Sequence, residues 1–383
     1  MKLSFLFFIS ILLSGHCDAS TVRVGLLSKA LPNSITFIAS GSSYTIYEGK
    51  KMLFTLHQDE SVRVEYKSGK LQVKKFGKVK GTFKNLIFKE DSVIGFFRIR
   101  GNRPETPTLP YDDNVELSIH EKRIRIINVV DLEKYVAGVV ESEVGNTRLQ
   151  ELLKAQAILA RTFVLSHSDR HAEENFSVCD LSHCQAYNSR SRFNSAVLLA
   201  IDSTRNKVIC DTLNSMIAAP YHSNCGGQTI SAMDIWTTPL LSTQSVIDTF
   251  CLSGSHATWN SSISKKDWIH YLKINGVNPT DSLMTDSLLC FAQEERMICM
   301  NKVGTNIPLR KIREDFHLKS TFFNICIAED SVLFSGRGFG HGVGLCQEGA
   351  MQMASLGFSA IDILRFYFKD VRIEDASLTH ENK

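Results

Sequence analysis

The chain has 383 residues, 43% of them apolar and 22% charged. That suffices for one large domain or two moderate ones with true cores, and it excludes a disordered or low-complexity chain. A formal net charge of +3 is too small to argue for a nucleic-acid partner, though it is compatible with work near an anionic polymer.

Met1 and Lys2 give a short positive start, followed by the apolar run "LSFLFFISILLSG" and then "HCDAS". This is the layout of a secretory signal peptide spanning residues 1–19, cut after Ala19. The alternative is an uncleaved membrane anchor, but the run is shorter than the roughly 20 residues a spanning helix needs. Cys17 raises the lipoprotein question, and His16 before it is a poor fit to that signal. The expectation is export to the periplasm or cell envelope, with membrane anchorage only if the signal stays uncleaved. Nine cysteines remain after Cys17. Some are candidates for disulfides, among Cys210, Cys225, Cys251, Cys290, Cys299 and Cys326, in a pairing that sequence does not fix. The odd count requires a free thiol or a metal ligand.

From Thr21 to about Ile99, "TVRVGLL", "SITFIAS", "SYTIYEG", "SVRVEYK", "KLQVKKF" and "DSVIGFFRIR" read as strands. Residues 20–114 therefore form a β-rich N-terminal module. Its end, Gly101 to Asn114, holds three prolines and reads as a loop or linker. "VELSIHEKRIRIINVV" predicts a hairpin that feeds a helix capped by Asp131. A second helix follows Gly145, with Thr147 and Gln150 at capping-box spacing. Strands return at "KVICDT", "SMIAAPYHS", "TFFNICIAE" and "SVLFSG". Helices are expected at Ser264–Gly276 and after the Ser359…Asp362 cap, and residues 376–383 read as a polar tail.

Two acids close the first helix. At about 100° per residue, Glu143 lies within roughly 20° of Leu132 on the apolar stripe, while Glu141 faces the other way. Burial penalises an ionised carboxyl, which is the condition for a general acid near neutral pH. The bland alternative is that Glu143 merely accepts backbone N–H bonds from the next segment. In "APYHSNCGGQT", Tyr221 and Ser223 share one strand face. That pair suits a sugar ring, and equally a satisfied sheet face.

The stretch "FSGRGFGHGVGLCQEGAMQMA" alternates five glycines, Gly336 to Gly344. It lacks the spacing of G-x-G-x-x-G and the lysine of a P-loop. It reads as an extended segment entering a helix near Gln347 and ending at Gly357. Alternation should put Arg337, Phe339, His341 and Val343 on one side. Cys346 and His341 share this loop, but catalytic Cys and His normally come from distant segments, so a cysteine nucleophile is disfavoured.

"LEKYVAGVVESEV…LQELLKAQAILARTF", "CDLSHCQAY", "YHSNCGGQT" and "GRGFGHGVGLCQEGAMQMA" together resemble the SpoIID/LytB family of bacterial peptidoglycan proteins. The likeness covers roughly Val115 to Ile373, so residues 115–375 are taken as the SpoIID/LytB-like catalytic domain. It implies an α+β, β-rich SpoIID-like fold. A helix-turn-helix carries the catalytic glutamate, and a glycine-rich strand-to-helix segment lies near the C-terminus.

The implied activity is lytic transglycosylation, which cuts the β-1,4 bond between N-acetylmuramic acid and N-acetylglucosamine and leaves a 1,6-anhydro end. The implied acid/base is Glu143, with Val144 where the family usually has Met. The resemblance places the segment of Tyr221 and Ser223 at the substrate cleft; Arg337 and His341 of the glycine stretch are expected to position the glycan or orient Glu143, and Gln347 is a further expected substrate contact. It also implies a structural zinc on Cys179, Cys184 and His171, with His183 or His167 as alternates; a Cys179–Cys184 disulfide or free thiols are the competing readings. No cofactor is required for the implied catalysis. The expected partners are peptidoglycan glycan strands, peptide-free in some family members, and a cell-wall amidase. Two other functions remain open: a non-catalytic enhancer that recruits such an amidase, and a zinc-dependent cell-wall hydrolase.

Overall fold

The computed structural model describes residues 21–92, 94–191, 194–236, 240–277, 290–302 and 305–379. The expected signal peptide lies outside the described residues. So do residues 380–383 of the expected tail. Within the described part no helix is long and apolar enough to cross a membrane.

The alternating strands of the first third build two sheets. One runs, in spatial order, Val178–Cys179, Thr21–Leu26, Arg123–Asp131, Asn114–His120, Leu86–Glu90, Tyr44–Glu48 and Lys51–Leu56. The other runs Leu109–Asp112, Phe96–Arg103, Ser34–Ser40, Ser61–Lys67, Lys70–Lys75 and Lys78–Phe83. Their period-2 patterns point one face of each inward. Phe37 meets Phe88 of the facing sheet at 4.4 Å between ring centroids. The proline-rich stretch expected as a loop contributes a strand, Leu109–Asp112, which pairs antiparallel with Phe96–Arg103. Its Pro110 sits on the edge strand of that sheet, the position where a missing N–H is tolerated. Strands on both sides of residue 114 share one sheet and one apolar core.

Helix α1, Leu132–Val144, starts as its cap predicts: the Asp131 side chain accepts from the Glu133 and Lys134 amides at 2.9 and 3.1 Å. It ends at Gly145, whose φ of +68° is a glycine conformation. Helix α2, Gln150–Ser166, begins without the expected capping box. Thr147 Oγ1 accepts only from the Leu149 amide, and Gln150 reaches sideways to the Ala196 carbonyl.

Helix α2 is buried on most of its surface, Gln156, Arg161 and Thr162 included, and sits between two cores. Leu153, Ala157, Ala160 and Val164 face the sheets and α1. Leu152, Ala155, Ile158 and Leu159 face the C-terminal helices Gln347–Ser355 and Ala360–Tyr367. A buried ion pair ties α2 to α1: Arg161 donates to both Glu133 oxygens, at 2.9 and 2.6 Å.

A third core lies under the sheet Thr258–Ser264, Ser331–Arg337, Phe323–Ala328, covered by the helices Lys265–Ile274 and Leu309–Asp315. The architecture is thus α+β and rich in strands. All nine described cysteines are free thiols, so the expected disulfides do not form. The polar tail expected from residue 376 begins as packed chain: Ala376 and Thr379 are buried, and the Ala376 amide donates to the Asn206 carbonyl.

Candidate functional site

An open cleft of about 700 Å³ runs between the end of α1, the loop after α2 and the glycine-rich segment. Glu143 lies in it as the sole acid among the lining residues. Two donors converge on Glu143 Oε1, the Tyr221 hydroxyl and the Ala186 amide, each at 2.8 Å. No described residue donates to Oε2, so that oxygen is left for a ligand. Burial and the nearby Glu143 carboxylate push the Tyr221 phenol well above its ordinary range, so it stays a donor.

The Ala186 amide reaches Glu143 because residue 138 is glycine. A Cβ there would lie 2.5 Å from the Tyr187 ring and 2.6 Å from the Ser189 carbonyl. Glu141, two residues back, accepts from Ser191 at 2.6 Å and is not among the lining residues. The two acids therefore have different surroundings, Glu143 in the cleft and Glu141 half-buried against Ser191.

Beyond the strand Ser331–Arg337 the glycine-rich segment is not extended. Gly338, Gly340, Gly342 and Gly344 all have positive φ, between +71° and +114°, so side chains do not alternate between two faces. The segment lies flat on the strand that carries Tyr221. A Cβ on Gly344 would meet the Pro220 carbonyl oxygen at 2.1 Å. Phe339 and His341 line the cleft, whereas Val343 is buried against Ile230 and Ala232.

Arg337 points elsewhere: its guanidinium stacks on Phe322 at 3.6 Å and donates to the Gln293 carbonyl at 2.8 Å. Ser223 and Gln347 do line the cleft, and Gln347 Nε2 is buried with no partner among the described residues. His341 Nδ1 accepts from the Val343 amide at 3.0 Å. Burial, with the charge of Arg313, pushes its imidazole down to about 4, so His341 is neutral near pH 7.

At one end of the cleft, His171, Cys179, His183 and Cys184 bring four ligand atoms within 4.8 Å of one another. The sulfurs lie 3.5 Å apart, and His171 Nε2 lies 3.4 Å from Cys184 Sγ. A tetrahedron with metal–sulfur bonds of about 2.3 Å and metal–nitrogen bonds of about 2.0 Å has edges of about 3.3–3.8 Å, so the set fits zinc. Glu174 holds the other His171 nitrogen, the usual orienting contact for a ligand imidazole. His183, an alternate in the sequence reading, thus stands with the three residues expected there as ligands. His167 does not: its Nδ1–H donates to the Phe163 carbonyl at 2.9 Å.

Trp236, Arg170 and Arg313 also line the cleft and were missed in the sequence. Trp236 in "MDIWTTP" could have been noticed as an aromatic shortly before a proline. The two arginines sit in charged stretches that give no local signal.

Fold and site define a mixed α+β protein with a positioned carboxylate in an open, aromatic-lined cleft. A family model described as stage II sporulation protein matches residues 120–210, which hold α1, α2 and the Cys/His loop. Stage II sporulation protein D of Bacillus subtilis is 27% identical over 279 residues, 68% of this chain and 80% of that protein. The amidase enhancer of the same organism is 26% identical over 285 residues, 60% of this chain and 39% of the enhancer. An uncharacterised protein of Brachyspira hyodysenteriae is 25% identical over 363 residues, 94% of each chain. In these matches the chain is similar to the SpoIID/LytB family.

Proposed function

We propose that the chain is an exported cell-wall enzyme, a lytic transglycosylase acting on peptidoglycan glycan strands. The observation that carries this reading is the solitary, doubly hydrogen-bonded Glu143 in a cleft otherwise lined by aromatic, polar and cationic side chains. Hydrolytic glycosidases use two carboxylates, about 5–9.5 Å apart. Intramolecular attack needs only one. Glu143 protonates the glycosidic oxygen and the C1–O bond breaks. The muramic acid 6-hydroxyl then bonds to C1 and returns its proton to Glu143, so no water is consumed.

Tyr221 and Ala186 hold the carboxyl in place, and Tyr221, Trp236 and Phe339 offer faces for sugar rings. Arg170 and Arg313 supply positive charge for an anionic strand, and the orphaned Gln347 amide supplies a donor. Zinc on the Cys179/Cys184 cluster is assigned a structural role, because four protein ligands leave no open position for hydrolysis.

Glu143→Gln should melt like the parent protein and lower the yield of anhydro-ended fragments by about 10²–10⁴-fold, the usual contribution of a general acid. The readout is mass spectrometry of digested glycan strands, with and without stem peptides. Cleavage at the parental rate would sink the assignment. The likeness to an amidase enhancer supports a second reading, recruitment of a cell-wall amidase. In that case the purified protein alone gives no product, and the Glu143→Gln variant still stimulates the amidase.

A further inference from the structure

Behind the cleft wall, and apart from the Cys/His loop, Cys225, Asp248, Cys251 and Cys346 gather with all four side chains fully buried. Their ligand atoms lie within 4.8 Å of one another. Cys225 Sγ is 3.3 Å from Cys251 Sγ and 3.2 Å from Asp248 Oδ2. We propose that these four residues form a second, closed divalent-metal site, and that the donor set of three sulfurs and one carboxylate selects zinc.

The surroundings are built for anionic ligands. Cys346 Sγ accepts from the Cys225 and Gly349 amides, at 3.3 and 3.4 Å. It also caps the helix Gln347–Ser355, whose N-terminal dipole favours a thiolate. Gly226 and Gly227, both with positive φ, turn the chain directly after Cys225 and aim their amides at Cys251. Asp248 is oriented from outside by the Tyr367 hydroxyl at 2.9 Å and the Phe250 amide at 3.0 Å. Such contacts fix a ligand's geometry in metal sites. Asp248 is buried and forms no ion pair with a lysine, arginine or histidine among the described residues, and burial pushes its carboxyl up, so ionising it there calls for a cation.

A disulfide between Cys225 and Cys251 would leave the Cys346 thiol and this carboxylate stranded beside it. A metal ion engages all four groups. It would also pin three segments: the turn that follows the strand of Tyr221, the turn Phe250–Ser253 with Asp248 before it, and the start of the helix that carries Gln347. The site is therefore assigned to holding the cleft wall together, with no place for substrate.

The test is metal analysis of the full exported chain, purified from zinc-supplemented medium and dialysed against a mild chelator. The double variant His171→Ala/Cys179→Ser disables the first cluster and should still retain about one zinc per chain by native mass spectrometry. Adding Cys251→Ser or Asp248→Asn should remove that equivalent. Cobalt exchanged into the double variant should give tetrahedral ligand-field bands and thiolate charge-transfer absorption, which decides the matter if Cys251→Ser does not fold. A folded double variant without metal, or an intact mass and peptide map showing a Cys225–Cys251 disulfide, would overturn the proposal.

Discussion

His341 shows how one side chain is shaped by its place. It stands between His222, at 5.5 Å between ring centroids, and Trp236, at 5.3 Å. Burial comes first among the causes that push its folded-state value to about 4, and Arg313 and Arg296 add to it. An unfolded imidazole titrates near ~6.5. Between those two values the unfolded chain binds a proton that the folded chain does not. Stability should therefore be present above pH ~6.5 and fall as pH drops towards about 4. His222, buried and also shifted down, acts in the same direction. His341→Gln should flatten the slope of unfolding free energy against pH in this window by about one proton, or roughly 1.4 kcal/mol per pH unit. Urea melts at several pH values measure it, and an unchanged slope in the variant would remove His341 as the cause.

At the scale of elements, the α1–α2 pair sets the position of Glu143, and Arg161 is its clamp. Arg161 is fully buried and bridges Glu133 on α1 and the Lys207 carbonyl. Arg161→Met leaves the Glu133 carboxylate buried without its partner and should cost about 3–5 kcal/mol in a denaturant melt. The double variant Arg161→Met/Glu133→Leu removes both charges and should recover most of that loss. A single variant within about 1 kcal/mol of the parent would refute the clamp. These helices were legible in the sequence because their apolar stripes repeat and Asp131 is a strong cap. The same repeat puts Glu143 and Glu141 at different helical phases. The left-handed path of the glycine segment was not legible, because glycine spacing does not report the sign of φ. Nor was the outward turn of Arg337, which is set by Phe322 and Gln293, residues distant in the chain. The cluster of Cys225, Asp248, Cys251 and Cys346 escaped for a similar reason. Its members come from three segments, and no local spacing links Cys346 to the others.

Across the whole molecule, the first strand reaches the Cys/His loop at the mouth of the cleft. Thr21–Leu26 pairs antiparallel with Arg123–Asp131 on one side and parallel with Val178–Cys179 on the other, with Gly25 opposite Cys179. The next residues hold the loop from below: the Leu27 and Ser28 amides donate to Asp180, at 2.6 and 3.2 Å. Gly25 faces the Phe176 ring, and a Cβ there would come within 2.8 Å of it. Phe176 in turn stacks on His171, with ring centroids 4.7 Å apart. Gly25→Val favours a strand by propensity but displaces Phe176, and with it the His171 ring. On the assignment of zinc to the Cys179/Cys184 cluster, this substitution should weaken retention of that metal by about 10–100-fold, as loss of an orienting contact does. Chelator competition on Gly25→Val, with Gly25→Ala as the milder step, measures the effect. Graded loss from glycine to alanine to valine is the expected result. Equal metal retention in all three proteins would show that the first strand does not position His171.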